Sequence, residues 1–573
     1  MRGRYGKNGK NESIMKHSKM ILAVAVMLLA SVFPAKAADF EVDGIAYNIT
    51  GENEVEVTKR TERYSGVVEI PAQVTQDGVS YQVTRIGSSA FAGSPELTLV
   101  DIPEGVTSIG SNAFYNCPGL EAVDFPGTLT SIGSNAFYCC SGITSLYIPR
   151  NLTDIARDAL FGCCGIVSFS CSAFNPQFKV VGGVLYNKDM TMLLIYPGSA
   201  PATSFVVPST VTALQYYAFR DCDNLTEITI PESVTWIGAA VFAYSDGLET
   251  VVLPDGITHM GTGTFMNCAK LSSIHLPASV DSLLSSTVSM CPLLKEVTIP
   301  RNVKYIGRFA FCEATGTERF IFEEGSQLET IEEMAFSTCP LLETFDMPNS
   351  VTTVGYDAFQ KCTGLKTIHL SDNLINLANA VFWDCSSLTE LVIPRSVVSI
   401  RNGLVTGCSS LKVLRIGDKY GIPGYTSVEH SAIGTASLEV IELGANVDSI
   451  PEFGFGTITG LKVFISWNPN PPKCVQYSIG FNTPFNTAVL YVPKASVEAY
   501  STAVEWKRFK TIVPIEDVGD VNDDGFINIS DAIALVNHLS VDGPVNGPLA
   551  DMNLDGEINI SDVIALINKL LNE

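Results

Sequence analysis

Apolar and polar residues alternate in short bursts along most of this chain. In residues 225–231, Ile228 and Ile230 alternate with Glu227 and Thr229, and Pro231 closes the burst. A period of two predicts a half-buried strand. Proline has no N–H to donate and ends its pairing. Further landmarks follow each burst: a Ser-Val-Thr-x-Ile-Gly segment, an Ala-Phe pair, and a cysteine shortly after the phenylalanine. The phenylalanine falls at Phe91, Phe114, Phe137, Phe219, Phe242, Phe265, Phe311, Phe336, Phe359 and Phe382, with Leu160, Val288 and Val405 in the same slot. Nearly every step is 23 residues; Phe311 to Phe336 is 25 and Leu160 to Phe219 is 59. A period in the twenties predicts a solenoid, in which each unit buries its apolar face only by stacking on its neighbours. The repeated glycine, as at Gly238, is expected where the chain turns sharply. The Ala-Phe segment is expected to be a turn or brief helix that drops an aromatic plug into the core.

The Ile-Pro, Ile-Gly, Ala-Phe and Cys landmarks recur together over residues 85–465. This pattern resembles the BspA-type leucine-rich repeats of bacterial surface and secreted proteins. The resemblance implies an α/β repeat solenoid with a parallel sheet on one face, and binding rather than catalysis. Residues 38–84 lack the full repeat and are expected to cap the array, beginning with a hairpin around Asp43 and Gly44. Near 170–206 two strands joined around residues 187–190 are expected to form a hairpin insert. Residues 466–515 end in a strand and a short aromatic-bearing segment with Trp506 and Phe509, and are expected to close the other end.

The first 37 residues alter the picture of compartment. Lys16 and Lys19 precede an apolar run over residues 20–32, and Ala35 and Ala37 flank a small-x-small cleavage site. This is the form of a signal peptide cleaved near Ala37, so the mature chain is expected to be secreted or at the cell surface. No later stretch reaches the length of a membrane span. The formal net charge is −24, while residues 1–37 carry seven Lys/Arg against one acid, so the rest is more acidic still. Such a chain is poorly suited to nucleic acid.

An exported chain with fifteen cysteines raises the question of disulfides. Ten of them, from Cys117 to Cys408, occupy one repeat column, where Ser245 and Ala314 also appear. A slot that accepts Cys, Ser or Ala reads as small and buried, and stacked neighbours with parallel Cβ vectors are poorly placed to bridge. Reduced thiols are expected there.

Explicit chemistry is confined to residues 516–573. Oxygen-bearing side chains fall at Asp520, Asn522, Asp524, Asn528 and Asp531, and again at Asp551, Asn553, Asp555, Asn559 and Asp562, with Gly525 and Gly556 at the sixth position. A hard cation such as calcium takes many oxygen ligands, and glycine permits the sharp turn that gathers them. Phe526 and Glu557, at the seventh position, would contribute backbone carbonyls. Each loop runs into an amphipathic segment. Position 12 is Asp rather than Glu, and no helix precedes the first loop. Both features resemble the type I dockerin, a small all-α module with two EF-hand-like loops. The resemblance implies two Ca2+ ions and a cohesin-bearing scaffold protein as partner, with Ile529, Ser530, Ile560 and Ser561 at the contact.

Repeats and caps account for the rest of the chain, leaving no stretch for a hydrolase barrel. The chain therefore reads as a non-catalytic binding protein, its array recognising a protein or glycan and its dockerin attaching it to a scaffold. The alternative is an accessory, carbohydrate-binding component of a polysaccharide-degrading complex.

Overall fold

The structure, a computed structural model, describes residues 38–572 apart from 418–425, 436, 481, 523–526 and 542–544. The expected signal peptide, 1–37, lies outside the described residues. Of the described residues, those up to Tyr138 together with Asp154–Ala159 form one compact unit, and Cys139–Thr153 with the residues from Leu160 onward form a second.

In the first unit Phe40–Val42 pairs antiparallel with Ile45–Gly51 through Asp43 and Gly44, both at positive φ. The strands Gly66–Glu69, Leu97–Asp101 and Ala122–Asp124 then stack in parallel. Tyr64, buried, lies 4.6 Å from Phe91, and the rings of Phe91, Phe114 and Phe137 follow at 4.9 Å spacing, stacked nearly parallel. The aromatic plug is therefore a continuous stack that begins on a tyrosine from outside the regular repeats.

The second unit repeats this plan. Ser204–Val206, Glu227–Thr229, Thr250–Val252 and Ser273–His275 form one parallel ladder, with Ile228 and Val251 pointing in and Thr229 and Val252 pointing out. Regular units add a second, two-residue ladder at the Ile-Gly landmark: Ala213–Leu214, Trp236–Ile237 and His259–Met260 pair in register. The sequence pattern anticipated the first ladder and not the second, because two residues are too short to display a period. Phe178–Val181 and Val184–Asn187 pair antiparallel. Buried Asn175 anchors them, donating to the carbonyls of Pro149 and Leu152 at 2.7 and 2.8 Å and accepting from the N–H groups of Gln177 and Phe178. At the far end Tyr500, Trp506 and Phe509 pack around Phe464 and each other, with Trp506 donating to the Pro472 carbonyl at 2.9 Å.

The Ala-Phe segment is a turn rather than a helix. Its amides bond to the next coil, as Phe336 N–H does to the Ala358 carbonyl at 2.8 Å. Gly238 does not supply an unusual φ. A Cβ there would lie 2.6 Å from the Tyr216 backbone nitrogen, so glycine is required by the close approach of the preceding coil. The left-handed position falls two residues later, on Ala240, φ 53°.

None of the fifteen cysteines is joined in a disulfide. In the repeat column the thiols donate to backbone: Cys362 to the Phe336 carbonyl, Cys385 to Phe359 and Cys408 to Phe382, each at 3.1 Å. Ser245 makes the same bond to the Phe219 carbonyl at 2.7 Å. The slot thus takes small side chains and offers a backbone carbonyl to those that can donate, which the spacing alone did not reveal; Ala314 fills it without that bond. Burial pushes the Cys408 thiol up to about 12. Alkylation of native protein near pH 8 is therefore expected to modify Cys164, the one exposed cysteine among the described residues, while the ten column thiols react only in denaturant. Peptide mapping after a timed iodoacetamide pulse checks this; rapid labelling of Cys362 or Cys385 in native protein contradicts it.

Candidate functional site

Among its described residues the C-terminal module has two long helices, Ile529–Val541 and Ile560–Asn572, each entered from an oxygen-rich loop, and the short helix Gly547–Ala550 between them. Val521, Ala532, Leu535, Ala550, Val563 and Leu566 form its core. Ala532 and Val563, like Leu535 and Leu566, are 31 residues apart, so the two halves contribute equivalent side chains.

In the second loop Asp551, Asn553, Asp555, Asn559 and Asp562 turn their oxygens onto the loop's own backbone. Asp551 accepts from Asp555 and Gly556 N–H at 3.1 and 2.9 Å. Asp562 is fully buried and accepts from Met552 and Asn559 N–H, both at 2.8 Å. Asn559 accepts from Ser561 N–H at 2.8 Å. Gly556 has φ 86°, as the gathering turn requires. In the first loop Asp531, also fully buried, accepts from Asn522 and Asn528 N–H at 3.1 and 2.8 Å, and Asn528 accepts from Ser530 N–H. Asp520 is buried, while Asp524 and Phe526 lie outside the described residues.

These residues fit a hard cation. Burial, reinforced by the Asp562 carboxylate, pushes the Asp551 carboxyl up to about 6 despite the Gly556 N–H bond that lowers it. Two buried carboxylates this close are costly to ionise without a positive charge between them. Among the described residues no three acidic, histidine or cysteine side chains close on one point; in the sequence of each loop amide oxygens of asparagine alternate with the carboxylates. That mixed set of carboxylate, amide and backbone oxygen suits calcium rather than a nitrogen- or sulfur-seeking metal.

Just past the loops, Ile529 and Ile560 are 66% and 63% exposed, beside Ser530 and Ser561. Sequence reasoning missed that the apolar strip continues along both helices, with Ile533, Val536, Ile564 and Ile567 all exposed. The signal was present as the 31-residue correspondence carried beyond the loops.

A scan of protein families matches the family described as BspA type leucine rich repeat region (6 copies) at residues 73–180, 196–318, 286–412 and 329–462, together more than half of the chain. The chain belongs to that family. Its residues 518–571 match the dockerin type I domain. Both matched regions are non-catalytic modules. Solved structures similar to this BspA-type protein include a leucine-rich repeat protein from Eubacterium ventriosum, at 24% identity over 54% of this chain and 91% of that one, TM-score 0.46. Another, from Bacteroides ovatus, shares 24% identity over 83% of this chain and all of that one, TM-score 0.40. A leucine rich cell surface protein from Faecalibacterium prausnitzii shares 23% over 74% and 94%, TM-score 0.32. No curated protein matches the chain.

The outward face of the BspA-type array carries cross-strand charge pairs. His369 Nδ1 lies 2.5 Å from Asp346 Oδ1, and Arg415 pairs with Glu390 and, at 3.0 Å, with Glu442. Such exposed pairs contribute at most about 1 kcal/mol each to stability. Beside them opens a groove of about 920 Å³ lined by Met347, Ile368, His369, Asp372, Val392 and Arg395. No described helix is long and apolar enough to cross a membrane.

Proposed function

We propose that this is an exported, non-catalytic binding protein: the repeat array holds a protein or glycan ligand and the dockerin attaches it, through calcium, to a cohesin-bearing scaffold. Asp520, Asn522, Asp524, Asn528 and Asp531 would hold one ion with the Phe526 carbonyl. Asp551, Asn553, Asp555, Asn559 and Asp562 would hold the other with the Glu557 carbonyl. Calcium supplies the positive charge that lets the buried carboxylates ionise, and so orders the start of each helix. Ile529, Ser530, Ile560 and Ser561 then form the docking surface. The observation that carries this reading is the duplicated isoleucine, Ile529 and Ile560, held exposed on two equivalent helix starts beside Ser530 and Ser561. Exposed isoleucines at equivalent points are what an apolar interface centre requires.

The test is calorimetric titration of the full chain with cohesin domains in calcium. Either Ile529→Asp or Ile560→Asp alone is expected to weaken binding modestly, since the other copy persists. The double variant is expected to lose at least a hundredfold. Unchanged affinity in the double variant would remove these residues from the interface. For the array, the groove beside His369 and Arg395 combines apolar side chains, Met347, Ile368 and Val392, with charged Asp372 and Arg395, which suits an extended protein or glycan segment.

A further inference from the structure

The outward slots of the array change character before the dockerin begins. One column of the sheet runs, partner to partner, Val392, Arg415, Glu442, Ile465, Tyr491 and Val513. The adjacent outward column runs Glu390, Val413, Val440, Val463 and Val489. Early members are exposed or charged: Glu390 and Val392 are open, the latter 45% exposed. Late members are apolar and covered. Val440, Val463, Ile465 and Tyr491 are each 4% exposed or less. The strand Val463–Ser466 is buried on both faces, unlike Glu227–Thr229, which alternates.

The cover is the dockerin. Val518 and Leu549 pack with these four residues, and Met552 and Leu554 of the second loop pack against the same cluster. Tyr491 Oη donates to the Pro548 carbonyl at 2.6 Å. Lys462 Nζ lies 3.2 Å from Glu557 Oε1 while also holding Glu439 at 2.7 Å. Gly556 sits against the stem of that lysine: a Cβ at 556 would be 3.0 Å from Lys462 Cβ. Side chains of the second loop thus have two duties. Asp551, Asn553, Asp555, Asn559 and Asp562 face the loop's own backbone, and Leu554 and Glu557, between them, face the array.

We propose that the last strands of the array are a built seat for the dockerin, and that calcium in the second loop and occupancy of the seat are linked. The module is held in one orientation with its Ile529 and Ile560 strip outward, instead of swinging on a tether. Leu554, Gly556 and Glu557 adopt their seated positions only in a closed loop, so whatever closes the loop strengthens the seat, and the seat in turn raises the loop's affinity by the same factor. The linkage rests on the calcium reading above; the seat does not.

Carbodiimide cross-linking of the full chain tests both parts, because it joins only amine and carboxylate in contact. Glu557 remains available, since its expected calcium contact is through its carbonyl. In calcium, peptide mapping is expected to show Lys462 joined to Glu557 and, as an internal reference for a folded array, Lys462 joined to Glu439. With chelator the Lys462–Glu557 product is expected to fall severalfold against that reference. Ile465→Asp, which places a charge in the seat, is expected to abolish it while the reference product persists. Absence of the Lys462–Glu557 product in calcium, with the reference formed, overturns the seat. Calcium content is measured on the same sample: two bound ions with a product indifferent to chelation overturn the linkage alone, and a chain that binds no calcium overturns the linkage together with the loop assignment.

Discussion

Replacing Phe336 with alanine is expected to cost about 3–5 kcal/mol and to divide the unfolding of the array into two transitions. The ring is fully buried, stacks on Phe311 at 5.5 Å and Phe359 at 5.3 Å, and meets Phe320 and Phe345 edge-on at 4.7 and 5.1 Å. Its removal leaves a hole flanked on four sides by aromatic faces that the stacked backbone cannot collapse to fill. Each unit is stabilised chiefly by its neighbours, so the loss falls on two joints at once and uncouples the halves on either side. Phe336→Leu is expected to cost much less, since Leu160, Val288 and Val405 occupy the same slot natively. Urea unfolding followed by hydrogen exchange, with peptides read on both sides of residue 336, checks the pattern. A single transition with a loss under about 1 kcal/mol would contradict the nearest-neighbour account.

The second large effect is expected from calcium. At free calcium a hundredfold above the dissociation constant, each site adds about 2.7 kcal/mol to the folded module. Chelation is therefore expected to melt the helices Ile529–Val541 and Ile560–Asn572 while the repeats stay folded. Asp562→Ala is the sharpest single substitution. It removes the last side-chain oxygen of the second loop and strips an acceptor from the N–H groups of Met552, Asn553 and Asn559 at once. Metal content is expected to fall from two ions to one per chain, with the loss of helix confined to the second half. Two ions retained by the variant, or an unchanged melting profile after chelation, would remove Asp562 from the coordination sphere.

The large features of this protein were legible because they are written as repetition. A phenylalanine returning every 23 residues, and two oxygen-rich loops 31 residues apart, each test a pattern many times over. What escaped was local and made by neighbours. The second ladder rests on residue pairs such as Trp236 and Ile237, too short to show alternation. The reason for Gly238 is the Tyr216 backbone pressing on it, a contact between coils that no single unit records. The column cysteines read as passive filler, and their bonds to phenylalanine carbonyls appear only once the coils are stacked. The seat was visible in principle. Val440, Val463, Ile465 and Tyr491 stand where charged Glu390 and Arg415 stand earlier, but after Val405 the marker steps become 28 and 22, to Ile433 and Phe455, so spacing no longer aligns these positions.

The identical pairing from coil to coil has a further consequence. Ile109 meets Ile132 as Ile132 meets Ile155, and Glu227 meets Thr250 as Thr250 meets Ser273. One regular coil can therefore rest on another regular coil without a new interface being invented. An in-frame duplication or loss of one repeat in the gene leaves the surviving joints as they were, and the aromatic closures at the two ends are untouched. Length, and with it the number of outward side chains on display, becomes a quantity that recombination can adjust while folding stays the same problem.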